Sequence, residues 1–239
     1  MCGRINVTTS AGSIAEFFLA LNFADVQPRY NITPAQEVLA IRREPHEGRR
    51  VLHGFQWGLL PSWARDPKIS ARLTNARCET LSEKPSFRGS YKYRRCIIPI
   101  DGFYEWKREG SLKQPYYFKM INQQLIALAG LWEHWVGPSG EEIFSTTIIT
   151  TRANPLMAPI HHRMPVILDS NDFDQWLDPA LQDGRSVEHL LKPLGEELLT
   201  CYPVSSFVNN SRNDGPQCIA PDVAGDPEDE PPLQMNLFH

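Results

Sequence analysis

Between Cys96 and Thr150 the chain offers short apolar runs at close intervals, Cys96–Ile100, Tyr116–Ile121, Leu125–Leu131 and Phe144–Thr150. Such runs, rich in β-branched and aromatic residues and bounded by turn formers, read as strands. Asn122-Gln123 and Gly137-Pro138-Ser139-Gly140 supply reversals between them. Further strands are expected at Val38–Arg42 and Val51–Leu59 across a polar turn at 44–49, at Met164–Leu168 and at Leu199–Val204. Helices are expected over 12–22 with Ser13 as N-cap, over Ser170–Leu177 capped by Ser170 or Asn171, and over Val187–Leu191. Arg29–Gln36 reads as a loop, with Pro34 forcing its predecessor towards an extended backbone. From Leu60 to Gly89 prolines, charges and single aromatics replace periodicity, as in surface loops that carry binding residues. Many short strands with few helices predict one compact α+β domain, its antiparallel sheet curled towards a barrel, spanning residues 2–219.

Composition narrows what such a domain does. Hydrophobic residues at 41% and charged residues at 22% of 239 are those of an ordinary soluble protein. No apolar run approaches the roughly 20 residues that span a bilayer. Ile14–Leu21 is apolar, but Glu16 interrupts it and neither a basic flank nor a cleavage site frames it. No membrane partner and a cytoplasmic location are expected, at the nucleoid when acting. The five cysteines, Cys2, Cys78, Cys96, Cys201 and Cys218, lack paired spacing, and no zinc pattern occurs. Neither a disulfide framework nor a metal is expected, and the internal thiols read as small apolar side chains.

Charge is unevenly placed. Asp222–His239 holds five acids and no Lys or Arg, so the body is close to neutral although the whole chain carries −4. Within 65–95, nine basic residues face only Asp66, Glu79 and Glu83. Trp57, Trp63, Phe87, Tyr91 and Tyr93 flank them. This is either a solvated basic face or a groove for a polyanion whose bases stack on aromatics.

Several residues could carry chemistry. Removal of Met1 makes Cys2 a 1,2-aminothiol, with an amine of reference pKa about 7.7–8.0 beside a thiol of about 8.5. Its amine condenses with an aldehyde to an imine, and its thiol then closes a thiazolidine on the same carbon. In Gly102-Phe103-Tyr104-Glu105-Trp106 a carboxylate stands between aromatics. Either desolvation favours its protonated form, which suits proton transfer, or its head reaches water. His161-His162-Arg163 offers two imidazoles expected to point in different directions, one an acid or base and the other solvated. Asn75 is a candidate to hydrogen-bond a sugar, and Arg77 to bind a phosphate bidentately.

These pieces fall in one order. Cys2-Gly3-Arg4, Asn31-x-x-Pro34-x-Gln36, Trp57-Gly58-Leu59-x-Pro61-x-Trp63 and Asn75-Ala76-Arg77-x-Glu79 come first. Gly102–Trp106, His161-x-Arg163-Met164-Pro165 and Asn213-Asp214-Gly215-Pro216 follow. From Cys2 to about Ile219 the pattern resembles the SRAP (SOS-response-associated peptidase) family of abasic-site processing proteins. The resemblance implies binding of single-stranded DNA and capture of a ring-opened abasic site as a thiazolidine crosslink, without a cofactor. It implies that Cys2 supplies amine and thiol and that Asn75 positions the N-terminus and sugar. Glu105 would act as acid/base, and His161 would move protons in sugar opening and crosslink reversal. Arg4, Asn31, Trp57, Trp63, Arg77 and Arg163 would line the DNA path.

Two other readings stay open. One is a self-processing cysteine peptidase with Cys2 as N-terminal nucleophile; the other is a single-strand-binding module without covalent chemistry. Beyond the body, Ala220–Pro232 has the composition of a disordered acidic linker within a tail over 220–239. Gln234-Met235-Asn236-Leu237-Phe238 resembles the peptide that docks on a bacterial sliding clamp, with Gln234, Leu237 and Phe238 as its anchors.

Overall fold

Arg95–Ile100 is buried at every residue, as a run of β-branched side chains is when both faces of its strand are covered. The computed structural model, which describes residues 2–22, 27–44, 47–110 and 112–222, shows what covers it. In chain order the elements are β1 (Ile5–Val7), α1 (Ala11–Phe17), β2 (Ala20–Asn22), β3 (Arg29–Ile32), β4 (Glu37–Arg43), β5 (Arg50–Trp57) and β6 (Asn75–Arg77). Next come α2 (Arg88–Tyr93), β7 (Arg95–Ile100), β8 (Gly102–Glu109), β9 (Leu112–Met120), β10 (Ile126–Val136) and β11 (Glu142–Arg152). The last are β12 (Arg163–Pro165), α3 (Phe173–Leu177), α4 (Arg185–Glu188) and β13 (Leu199–Pro203).

Strands β11, β10, β7, β4 and β5 lie side by side, and β5 returns to pair in parallel with β11 through Gln56 and Trp57. The sheet therefore closes into a five-stranded barrel, which removes its edges. β6 and β12 extend it along β11, and β2 extends it along β5. A second sheet, in the order β13-β9-β8-β1-β3, is antiparallel throughout. Ile41, Leu52, Ile98, Leu128 and Ile148 join Phe103 and Phe118 in one core cluster.

One length of chain serves both sheets. β7 belongs to the barrel and β8 to the second sheet, with only Asp101 between them. Asp101 accepts from the backbone N–H of Thr8 (2.6 Å) and Thr9 (3.0 Å) and from the Thr9 hydroxyl (2.6 Å). The corner is thus tied to the end of β1. At Gly102 a Cβ would overlap the hydroxyl of Tyr117, which donates to Asn6 Oδ1 at 2.9 Å.

The α+β barrel is as expected, and some local expectations are corrected. The first helix is Ala11–Phe17, capped by Ser10, whose hydroxyl accepts from Ser13 N–H. It stops early because Leu19 adopts φ 50° and Ala20 enters β2. Arg29–Ile32 is a strand, not a loop, since β1 offers it a partner. Asp169 caps the turn at 170–172, in place of Ser170 or Asn171. Three parallel pairings, β2 with β5 and β11 with both β5 and β6, accompany the antiparallel ones. Pro221 bridges to Val204 and Asp222 N–H donates to Pro203 O at 2.9 Å. Chain beyond Ile219 therefore still belongs to the body. The candidate clamp peptide, with Gln234, Leu237 and Phe238, lies outside the described residues. Among those residues no helix is long and apolar enough to cross a membrane.

Candidate active site

The N-terminal arm is placed by strand pairing. β1 runs antiparallel to β8, with Ile5 opposite Phe103, and Tyr104 N–H donates to Arg4 O at 3.0 Å. Continuing that alignment sets Gly3 opposite Glu105, and Cys2, the next residue out, lies close enough to feel the Glu105 carboxyl group. Both are buried, Cys2 completely and Glu105 to within 4%. Burial is the main force pushing the Cys2 thiol up, and the Glu105 carboxylate adds to it. The amino terminus and the Arg4 backbone N–H pull the other way. The result is a buried thiol held in its neutral form.

Two further side chains arrive from the barrel. β6 pairs with β11, Asn75 opposite Ile148, and Asn75 Nδ2 donates to Cys2 O at 2.8 Å. This bond ties the two sheets together at the N-terminus. Asn75 Oδ1 is buried with no donor among the described residues. His161 ends the loop after β11. Asn154 Oδ1 accepts from Met157 N–H at 2.9 Å, and His161 N–H closes the next turn on Met157 O at 2.9 Å.

His161 Nδ1 lies 3.0 Å from both the backbone N–H and the carbonyl of Arg163. A neutral ring accepts from the N–H, and a protonated ring donates to the carbonyl. Either protonation state therefore finds a partner at this nitrogen. The loop is pinned by Arg163, which grips Glu79 bidentately (2.5 and 2.9 Å) and donates to Thr150 O at 2.6 Å. The hydrogen bonds from Arg163 hold the Glu79 carboxyl down to about 2. His162 departs from expectation: its ring stacks on His161 with centroids 4.5 Å apart. The charge of His161 lowers its basicity, and it stays exposed.

A cleft of about 510 Å³ brings Glu105 and His161 onto one wall with Arg4, Trp106, Arg108, Lys113 and Asn209. Arg4 lies over the Trp106 ring at 5.4 Å, and Trp106 Nε1 donates to Asn209 Oδ1 at 2.6 Å. Arg4 also donates to Asn31 Oδ1 (2.6 Å) and Val208 O (2.7 Å). The cluster can bind an anion and exchange protons with a buried nucleophile. Among the described residues no group of three or more His, Cys, Asp or Glu is placed to hold a metal ion.

Several residues expected to touch a ligand serve the fold. Asn31 is 1% exposed, and its amide donates to the carbonyls of Val208 (3.3 Å), Asn210 (3.0 Å) and Asn213 (2.7 Å). With Arg4 donating to its oxygen, it fastens the 206–213 loop. Trp57 is likewise buried, and its Nε1 donates to Thr74 O at 2.9 Å, bracing the entry to β6. Arg163 is occupied by Glu79. Trp63 (56% exposed) and Arg77 are on the surface. The basic stretch is thinner than it reads. Arg95 is buried and donates to the carbonyls of Tyr91, Trp176, Leu181 and Asp178, while Arg94 pairs with Glu133 at 2.7 Å. Phe87 and Tyr91 are core residues. Sequence reasoning passes over Asp101, Asn154 and the ring of Trp106, although Asp101-Gly102 and Asn154-Pro155 are turn signals.

A cysteine, an asparagine, a carboxyl group and a histidine are gathered where a closed barrel meets a second sheet. The profile of the SOS response associated peptidase (SRAP) family matches residues 1–211, and the chain belongs to that family. It is 43% identical over 223 residues to the abasic site processing protein YoqW of Bacillus subtilis, covering 92% of this chain and 99% of that one. The abasic site processing protein HMCES of Xenopus tropicalis is 37% identical, with 81% of this chain and 66% of that one covered. A crystal structure of a Bacteroides thetaiotaomicron protein superposes with a TM-score of 0.84 at 28% identity, over 93% of this chain and all of that one.

Proposed function

We propose that this chain captures abasic sites in single-stranded DNA covalently, through Cys2 freed of Met1. The observation that carries the reading is the bond from Asn75 to the Cys2 carbonyl, which anchors Cys2 within electrostatic reach of Glu105, a wall of the cleft that His161 and Arg4 also line. The relatives are named for abasic site processing, which supports the same substrate.

The chemistry follows from the residues. The Cys2 amine adds to the aldehyde carbon of the opened sugar, and loss of one water gives the imine. The thiol sulfur then bonds to the imine carbon as its proton leaves to Glu105 and a proton reaches the imine nitrogen. The product is a thiazolidine, heavier than the protein by the DNA less one water. Ring closure removes the electron sink that an imine offers to β-elimination, so the strand stays whole. His161 delivers and recovers protons at the sugar oxygen, in opening and in reversal. Asn75 Oδ1 receives an N–H or O–H of the captured adduct. Arg4, Arg77 and Trp63 hold the strand, whereas Arg163 positions His161. The condensation needs no metal.

Intact-protein mass spectrometry after mixing with an abasic oligonucleotide tests this. The expected result is loss of Met1 and an adduct of protein plus DNA minus water, which a retained Met1 abolishes. Cys2→Ser should leave imine chemistry and strand nicking. An unchanged mass with a processed N-terminus overturns the reading and leaves the peptidase or the passive binding module. We also propose that Gln234, Leu237 and Phe238 dock on a sliding clamp. A peptide of residues 228–239 should bind a bacterial clamp, and Leu237→Ala/Phe238→Ala should not.

A further inference from the structure

The proposed chemistry leaves unused a cationic pair on the β8–β9 hairpin. Arg108 and Lys113 are direct cross-strand partners, and both are exposed. Like charges placed opposite one another weaken a sheet, so the fold alone gives no reason to keep them. Among the described residues no ion pair involves either. Both line the cleft that holds Glu105 and His161. Lys113 also lines a second cavity of about 440 Å³ with Lys107, Gln114, Ser205 and Ser206. Lys113 is the residue the two cavities share. Asp222 is the acid on its wall, as Glu105 is in the cleft. Four cations, Arg4, Lys107, Arg108 and Lys113, outnumber these two acids. Cations spaced along a track of hydroxyl and amide donors match a phosphodiester backbone.

We propose that Arg108 and Lys113 hold the DNA backbone on one side of the abasic site, while Arg77 holds it on the other. The inference rests on the reading of this chain as an abasic-site protein. It adds that the bound strand crosses from one sheet to the other. Arg77 lies on β6, against the barrel, and Arg108 and Lys113 lie on the second sheet. The lesion is held between them, over the seam where Cys2 lies. Arg108 and Lys113 are positioning residues and touch no reacting atom.

The test uses the full-length Arg108→Gln/Lys113→Gln variant and two oligonucleotides of equal length. One carries its abasic site at the 5′ end and the other at the 3′ end, so each extends to one side only. At subsaturating protein, crosslink formation on one of the two should slow by about tenfold, with the other unchanged. For that substrate the salt dependence of binding should flatten by about 1.4, at roughly 0.7 for each phosphate that is no longer neutralised. The variant should melt no lower than the parent, because a like-charge pair has been removed. Equal rates of variant and parent on both substrates, or equal losses on both, overturn the inference while the parent's crosslink stands. A parent protein that captures neither substrate overturns the reading of function as well.

Discussion

Cys2 sits where a thiolate is disfavoured, since burial and the Glu105 carboxylate both push its thiol up. Its reactivity therefore depends on a proton acceptor at hand rather than on a standing anion. Glu105→Gln removes that acceptor while also removing a charge that raises the thiol. If Glu105 is the base, capture by this variant should slow by roughly 10²-fold or more, the usual worth of general-base catalysis. If it only suppresses the thiolate, capture should speed up, and single-turnover rates separate the two by sign. Asn31 makes a different argument. Replacing it by Ala takes an acceptor from Arg4 and the amide donor from the carbonyls of Val208, Asn210 and Asn213, in a half-buried site. A loss of about 2–3 kcal/mol is expected in urea unfolding. A loss below about 0.5 kcal/mol would mean that the 206–213 loop is held by something else.

The elements that carry the site are held by few bonds, and these set its response to pH. Arg163 on β12 and Glu79 just past β6 join the His161 loop to the strand of Asn75. A carboxyl held at about 2 against its ordinary 4.5 stabilises the folded state fully above pH 4.5. That contribution fades as the pH falls through about 2. Glu79 is half exposed and water screens its side of the pair, so the pair's worth at neutral pH stays within about 1 kcal/mol. Glu79→Gln should therefore unfold nearly like the parent at pH 7 and lose less stability than the parent between pH 4.5 and 2, as acid titration followed by circular dichroism would record. Elements were legible where one force dominated. β4, β5, β10 and β11 announce themselves by apolar runs between turn residues. β8 does not, because Gly102–Glu109 mixes core aromatics with Glu105 and the cations of its hairpin. β3 is four residues on a sheet, and its pairing with β1 is invisible without the fold. Asn31 and Trp57 each carry a polar handle, and only tertiary structure decides whether protein or ligand receives it. Cys2, Glu105 and His161 stand out in the sequence as candidates by residue type and family pattern, whereas the carbonyls around Asn31 leave no trace in it.

At the scale of the molecule, the site has no single owner. The second sheet brings Cys2 and Glu105, the barrel brings Asn75 and the His161 loop, and β7 runs into β8 through Asp101 to hold the two sheets in one alignment. Chemistry and global stability are therefore coupled at that corner. Asp101→Ala removes a charge-assisted anchor for Thr8 and Thr9, which should cost about 2–4 kcal/mol. It also frees the end of β1, at the far end from Cys2 of the arm that β8 must hold in register. Capture should then fall several-fold at temperatures where circular dichroism still reports a folded protein, because the N-terminus wanders from Glu105 before the barrel opens. Asp101→Asn keeps an acceptor for the backbone donors and should recover part of both losses. If Asp101→Ala is destabilised but captures at the parental rate while folded, the arm is held by its pairing with β8 and by Asn75 alone. The corner would then govern stability without governing chemistry.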